Sequence, residues 1–216
     1  MNRIAIMASG TGTNAVELLR TAQNLTNVVI PLVIVDQADT PLLSLIPKEF
    51  PKTEIKLLLA PEPAVAKASG LSVREAHETL ILNELKQYSV QWIFLAGYMR
   101  LLTKKFIDRF KKNPTSMNSR VINIHPSLLP KFPGLEAYKQ AYNAKEKHTG
   151  VTLHFVDEGL DTGQVIAQES FEILSDYSLN DVTNHGKTLE HKMYRKLLLG
   201  LNETNLILPL SKKEYQ

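Results

Sequence analysis

Arg3-Ile4-Ala5-Ile6-Met7-Ala8-Ser9-Gly10-Thr11-Gly12-Thr13-Asn14 sets the reading of this chain. Arg3–Met7 reads as a first strand, apolar and uninterrupted from Ile4 onward. Two glycines follow, and they permit a tight turn and close backbone approach. Asn14–Gln23 then has Val16, Leu18 and Leu19 among its apolar positions, which predicts a helix. A strand entering a helix through glycines leaves free N–H groups and the positive end of the helix dipole facing the loop. The simplest occupant is a phosphate. Two other readings stay open: a plain strand–helix turn, and a dinucleotide site in which Ala15 replaces the third glycine and Asp36 holds a ribose. The Walker pattern is absent, because no Lys-Ser/Thr follows the glycines.

Strand and helix signals continue to alternate. Strands are predicted at Val28–Val35, Ile55–Leu59, Trp92–Leu95 and Val121–Ile124. Helices are predicted at Val73–Tyr88, Lys104–Phe110 and Asp181–Leu201. Ala76, Leu80, Ile81 and Leu85 recur at helical spacing in the first of these, with Ser72 and Glu75 forming a capping box. Val151–Val156 and Gln164–Gln168 are strands joined by a polar, glycine-containing loop, which suits an antiparallel extension. The expected fold class is α/β, with a doubly wound, mostly parallel sheet. No linker divides the chain, so residues 1–216 are expected to form a single domain. Asp36–Thr53 and Lys111–Arg120 read as surface excursions.

At 44% hydrophobic and 22% charged, the chain can bury a core. It has no cysteine, which excludes disulfides and thiolate metal ligands and fits a reducing compartment. No apolar run approaches a membrane span and the first residues do not resemble a signal peptide, so a cytoplasmic location is expected. The net charge of +3 is dispersed over pairs such as Lys104-Lys105, Lys111-Lys112 and Lys212-Lys213. Nucleic-acid binders concentrate such charge with aromatics, so no nucleic-acid partner is expected.

The chemistry centres on Val121-Ile122-Asn123-Ile124-His125-Pro126-Ser127-Leu128-Leu129-Pro130-Lys131-Phe132-Pro133-Gly134. Asn123 and His125 are two apart in a strand and share a face. A proline-rich loop follows directly, as at the mouth of a catalytic cleft. Asp157-Glu158-Gly159-Leu160-Asp161-Thr162-Gly163 is a second polar loop. Its acids lack calcium-loop spacing. It is either a solvated turn or the source of a carboxylate for a histidine across the cleft.

Together these pieces resemble the glycinamide ribonucleotide formyltransferase family, over nearly the whole chain and in order. Ser9–Asn14 looks like that family's phosphate loop, and Leu95-Ala96-Gly97-Tyr98-Met99-Arg100-Leu101-Leu102 like its folate-pocket segment. Asn123–Gly134 is its highly specific signature, and Leu160-Asp161-Thr162-Gly163-Gln164-Val165-Ile166 its later one. The resemblance implies a Rossmann-like formyltransferase fold, with residues 1–100 or so binding the ribonucleotide phosphate and the remainder catalytic and folate-binding. It implies a catalytic trio of Asn123, His125 and Asp161. Gly12, Thr13, Asn14, Lys187 and Glu190 would hold the ribonucleotide. Arg74, Met99, Arg100, Leu101, Leu102 and Asn123 would line the folate pocket, and Thr152 and His154 would support the catalytic Asp161. The implied cosubstrate is 10-formyltetrahydrofolate, with no metal, and the implied assembly is a monomer or homodimer.

Methionyl-tRNA formyltransferase and formyltetrahydrofolate hydrolase share the signature. The hydrolase usually carries an extra N-terminal domain and the tRNA enzyme a C-terminal β-barrel, and neither is expected within these 216 residues. The tRNA enzyme also tends to have Arg-x-Arg-Gly where this chain has Lys131-Phe132-Pro133-Gly134. The chain departs from the family pattern at Val35-Asp36-Gln37, at Asp39–Thr53 and at Lys111–Arg120. The expected activity is formyl transfer to the amine of glycinamide ribonucleotide. Competing readings are another amine acceptor, formylfolate hydrolysis, a non-catalytic binding protein, and an NAD-dependent dehydrogenase that uses Asp36.

Overall fold

The structure, a computed structural model, describes residues 1–113, 116 and 118–204. Lys212-Lys213 and positions 114, 115 and 117 of the Lys111–Arg120 segment lie outside the described residues. The strands are β1 Asn2–Ala8, β2 Val28–Val35, β3 Glu54–Leu57, β4 Trp92–Leu95, β5 Val121–His125, β6 His148–Phe155 and β7 Val165–Glu172. The helices are α1 Thr13–Ala22, α2 Leu42–Glu49, α3 Pro63–Ala68, α4 Val73–Gln87, α5 Lys104–Asp108, α6 Ala137–Asn143 and α7 Leu179–Thr204. All seven strands join one sheet in the order β3-β2-β1-β4-β5-β6-β7. The pairs from β3 to β5 are parallel, while β5–β6 and β6–β7 are antiparallel. The doubly wound sheet with its antiparallel extension is therefore as the alternation of signals predicts.

Strand alternation divides the core into two faces. Ile4, Ile6, Ala8, Val33, Val35, Phe94, Ile122 and Ile124 pack with Leu18 and Leu19 of α1, Leu42 and Ile46 of α2, and Tyr194 and Leu198 of α7. Ala5, Met7, Ile34, Ile93, Leu95 and Val121 pack on the opposite face with Ile81 and Leu85 of α4 and Phe106 and Ile107 of α5. Asn123 and His125 have the parity of Val121, so they continue this second face.

Three expectations change. Asp36–Thr53 is no mere surface excursion, because α2 lies inside it with Leu42, Ile46 and Phe50 buried. In α4 the capping box forms as predicted, but Leu80 is exposed while His77 and Glu78 are buried. Both buried polar residues are satisfied. His77 Nε2–H donates to Leu58 O at 2.7 Å, and Glu78 accepts from Thr103 N at 2.6 Å. Finally, α3 and α6 are helices where none was predicted.

Candidate active site

The strand order reverses around β1, so the loops after β1 and β4 diverge and open a crevice at the carboxyl ends of the strands. Two bonds stitch these loops together: Ser9 N to Gly97 O at 3.2 Å, and Met99 N to Ser9 Oγ at 3.0 Å. The crevice encloses about 450 Å³, ample for a small-molecule site. Asn14, Met99, Arg100, Leu101, Leu102, Asn123, His125, His154, Asp161 and Glu190 all border it. A separate hollow of about 660 Å³ lies behind Lys131-Phe132. Its lining includes the exposed Lys131, Lys145 and Lys147 and none of the site residues expected from the sequence.

At the crevice floor, Asn123 pairs with His154 and His125 with Thr152 across β5–β6, which places all four side chains on one face. Asp161 arrives from the β6–β7 loop. Its Oδ2 is 3.3 Å from His125 Nδ1 and accepts from Gly134 N at 2.8 Å; its Oδ1 is 3.7 Å from His154 Nε2. The Asn123, His125 and Asp161 side chains thus meet within one small volume.

The hydrogen bonds assign the protons. His125 Nε2 lies 2.8 Å from Phe132 O. A carbonyl only accepts, so Nε2 carries hydrogen. In the imidazolium form, Nδ1–H also has an acceptor in Asp161. His154 Nδ1 faces Phe155 O at 2.9 Å and is likewise the protonated nitrogen, leaving Nε2 to accept from Asn123 Nδ2 at 3.2 Å. Burial holds His154 below the ordinary histidine value, opposed by its bond to Phe155 and by the Asp161 charge. A neutral His154 therefore orients the Asn123 amide. Thr152 acts elsewhere: its hydroxyl donates to Ser127 O at 2.7 Å and accepts from Leu129 N at 3.1 Å. It supports the proline loop, not Asp161.

At the other end of the crevice Glu190, buried on α7, accepts from Asn14 Nδ2 at 2.5 Å and from Tyr138 Oη at 2.7 Å. Burial, reinforced by the Glu190 charge, pushes the Tyr138 hydroxyl well above the ordinary tyrosine value, so it remains a donor. The approach of Tyr138 depends on Gly186, where an added Cβ would lie 2.1 Å from the tyrosine ring. Gly12 caps α1 at φ 75°, and no side chain caps that terminus. A Cβ at Gly12 would meet Leu42 of α2 at 2.4 Å, so the unforeseen helix presses directly on the glycine loop.

Gly12 and the exposed Thr13 lie beside the crevice at the start of α1, outside its lining. Arg74, exposed on the first turn of α4, and Lys187, half-buried on α7, are also outside that lining. Arg100 borders the crevice, but its Nε is bound to Asp36 Oδ2 at 2.6 Å. Asp36 is buried, with one oxygen in that ion pair and Oδ1 without a hydrogen-bond partner, and it does not border the crevice. Sequence reasoning also missed the Phe132 carbonyl, the Gly134 N–H, Tyr138, and the apolar rim of Leu135 and Leu160. Met99, Leu101, Leu135 and Leu160 are all exposed around the crevice mouth. Clustered apolar exposure of this kind marks a binding surface.

Comparison with known proteins places the chain in a family. Residues 2–198 match the formyl transferase family model. A phosphoribosylglycinamide formyltransferase of Bacillus subtilis (strain 168) is 43% identical over 60% of this chain and 64% of its own length. The trifunctional purine biosynthetic protein adenosine-3 of Drosophila melanogaster is 35% identical over 96% of this chain and 14% of its own length. The crystal structure of phosphoribosylglycinamide formyltransferase from Bacillus halodurans superposes with a TM-score of 0.79 at 34% identity, over 97% of this chain and all of that one.

Proposed function

The chain belongs to the formyl transferase family, and on that premise we propose that it transfers the formyl group of 10-formyltetrahydrofolate to the amine of glycinamide ribonucleotide, a step of purine synthesis. The observation that carries this reading is the meeting of His125 Nδ1 and Asp161 Oδ2 at 3.3 Å beside Asn123, in a crevice with an apolar rim at its mouth and the buried Glu190 at its other end. We place the flat pterin of the folate under the rim formed by Met99, Leu101, Leu135 and Leu160. The ribonucleotide lies toward Glu190, with its phosphate at the uncapped N-terminus of α1. Asn14 gives one amide hydrogen to Glu190, and the loop's backbone N–H groups are the main phosphate donors in this reading.

The amine attacks the formyl carbon directly, and no protein nucleophile is needed. Negative charge develops on the carbonyl oxygen. Asn123 keeps one Nδ2 hydrogen beyond the one given to His154. A donor aimed at such an oxygen is worth about 3 kcal/mol in the transition state. His125 supplies positive charge beside it. Both of its ring nitrogens face protein acceptors, so a direct bond from His125 to the oxygen requires Nδ1–H to leave Asp161. That exchange frees Asp161 to take the proton of the attacking amine and pass it toward the leaving nitrogen. Proximity of the two substrates supplies the rest.

A turnover assay with glycinamide ribonucleotide and 10-formyltetrahydrofolate tests the proposal. Formylation of the ribonucleotide is the expected result. Formate release without an acceptor, or transfer only to a different amine, would overturn it.

A further inference from the structure

Gln168 sits on β7, two strands from His125. The register places His125, Thr152 and Gln168 in one cross-strand row. With strands roughly 4.8 Å apart, the outer two members are about 10 Å from one another and do not touch. They are nonetheless joined by the proline loop. Gln168 Nε2 donates to Leu129 O at 2.8 Å and to Thr152 Oγ1 at 2.8 Å. Thr152 in turn bonds Ser127 O and Leu129 N. Ser127 Oγ donates to Lys131 O at 2.5 Å, closing the loop just before Phe132. The next carbonyl, Phe132 O, accepts the proton on His125 Nε2. Each backbone group from Ser127 to Phe132 named here is fixed by a side chain of this row or of the loop itself.

We infer that Gln168 is a positioning residue for formyl transfer: it locks the Ser127–Phe132 loop through Leu129 and Thr152, and so sets the Phe132 carbonyl that orients the His125 ring. This rests on the formyl-transfer reading of the site. Thr152 offers one oxygen, and its own proton goes to Ser127. The Leu129 carbonyl therefore relies on the Gln168 amide as its side-chain donor. Without that donor the loop keeps its strand-side anchor but loses its outer one, and His125 Nε2 no longer meets a fixed acceptor. Neither Phe132 nor Gln168 lines the crevice in which both substrates are placed, so binding is expected to be unchanged.

Two variants test this. Gln168→Met keeps the length of the side chain without a donor, and Gln168→Glu keeps its shape with a carboxylate facing Leu129 O. Each is expected to lower kcat by roughly 10- to 100-fold, with KM for either substrate changed by less than about twofold. In histidine-ring 15N NMR, the His125 resonances should move. Adding Thr152→Val to Gln168→Met should lower kcat further, because it removes the strand-side anchor to Ser127 O and Leu129 N that Gln168→Met leaves in place. Wild-type kcat in either folded variant overturns the inference, as does a loss of kcat with the His125 resonances unmoved. If Gln168→Met fails to fold, Gln168→Glu gives the same two readouts. The NMR measurement needs no substrate. If the wild-type protein does not formylate glycinamide ribonucleotide, the functional reading fails while the clamp is still judged by the ring resonances.

Discussion

Asp161 holds a left-handed backbone conformation, with φ 55°. Asp and Asn adopt this region more readily than other non-glycine residues. The turn presents its carboxylate to His125, His154 and the Gly134 N–H at once. Asp161→Asn preserves both the turn and the side-chain shape, so its loss isolates the charge. The expected result is a fall in kcat of about 10²- to 10⁴-fold with a nearly unchanged melting temperature; a near-wild-type rate in steady-state kinetics would remove Asp161 from the mechanism. His154 supplies a prediction on stability. Burial lowers its pKa in the folded protein from the ordinary 6.5. Below about pH 6.5 the unfolded chain takes up a proton that the folded chain resists, so stability is full above that pH and declines as pH falls. The slope from this single group is at most about 1.4 kcal/mol per pH unit. His154→Gln should flatten the fall in stability between neutral pH and the acid side, as read from denaturation midpoints at several pH values. An unchanged slope would show that His154 is not held neutral.

At the scale of elements, α7 shows how a helix can sacrifice propensity for a site. Gly186 lies within it, where alanine would ordinarily gain about 1 kcal/mol. Here the added Cβ would fall 2.1 to 2.5 Å from the Tyr138 ring, and overpacking of that kind costs about 1–3 kcal/mol. Gly186→Ala should therefore lower the melting temperature and, by displacing Tyr138 from Glu190, raise KM for the ribonucleotide more than it lowers kcat. A stabilised variant with unchanged KM would show that α6 and α7 can adjust freely. The same elements show what a sequence discloses. The bounds of β2 and β4 follow from uninterrupted apolar runs, and the start of α4 from Ser72 and Glu75. By contrast, α2 hides because Pro41 precedes it and Pro47 lies inside it. α6 hides because it begins at Glu136 in a left-handed conformation without a side-chain cap. The trio was legible as side chains in a recognisable order. The Phe132 carbonyl and the Gly134 N–H were not, because backbone groups leave no mark in sequence until the loop carrying them is folded. Arg100 is legible as a cleft residue, but its engagement with Asp36 depends on two strand ends that sequence separates by 64 positions.

At the scale of the molecule, the division near residue 100 into phosphate-binding and catalytic halves is crossed by the last described helix. Met193, Tyr194, Leu197, Leu198 and Leu201 of α7 pack in the same core as Ile4, Ile6, Val33 and Phe94 of the first strands. Tyr194 Oη donates to Leu95 O at 2.6 Å, and Asn2 Nδ2 donates to Leu201 O at 3.3 Å. β4 and β5 also pair directly across the proposed boundary. Neither half can therefore bury its apolar face without the other, which predicts one cooperative unfolding transition. The chain offers two probes with different centres of gravity. Trp92, its single tryptophan, is buried on β4 beneath the Arg120 guanidinium and reports on the middle of the sheet. Far-UV circular dichroism is weighted toward helix, and the 26-residue α7 is the longest among the described residues. In a denaturant titration, tryptophan fluorescence and far-UV circular dichroism should trace coincident curves with one midpoint, the mark of two-state unfolding. Leu198→Ala should shift both midpoints together, by a loss of about 2–5 kcal/mol, although Leu198 and Trp92 stand more than 100 positions apart in the chain. Separated transitions, or a shift confined to the dichroism curve, would mean that the halves fold as independent units and that α7 merely rests on the sheet.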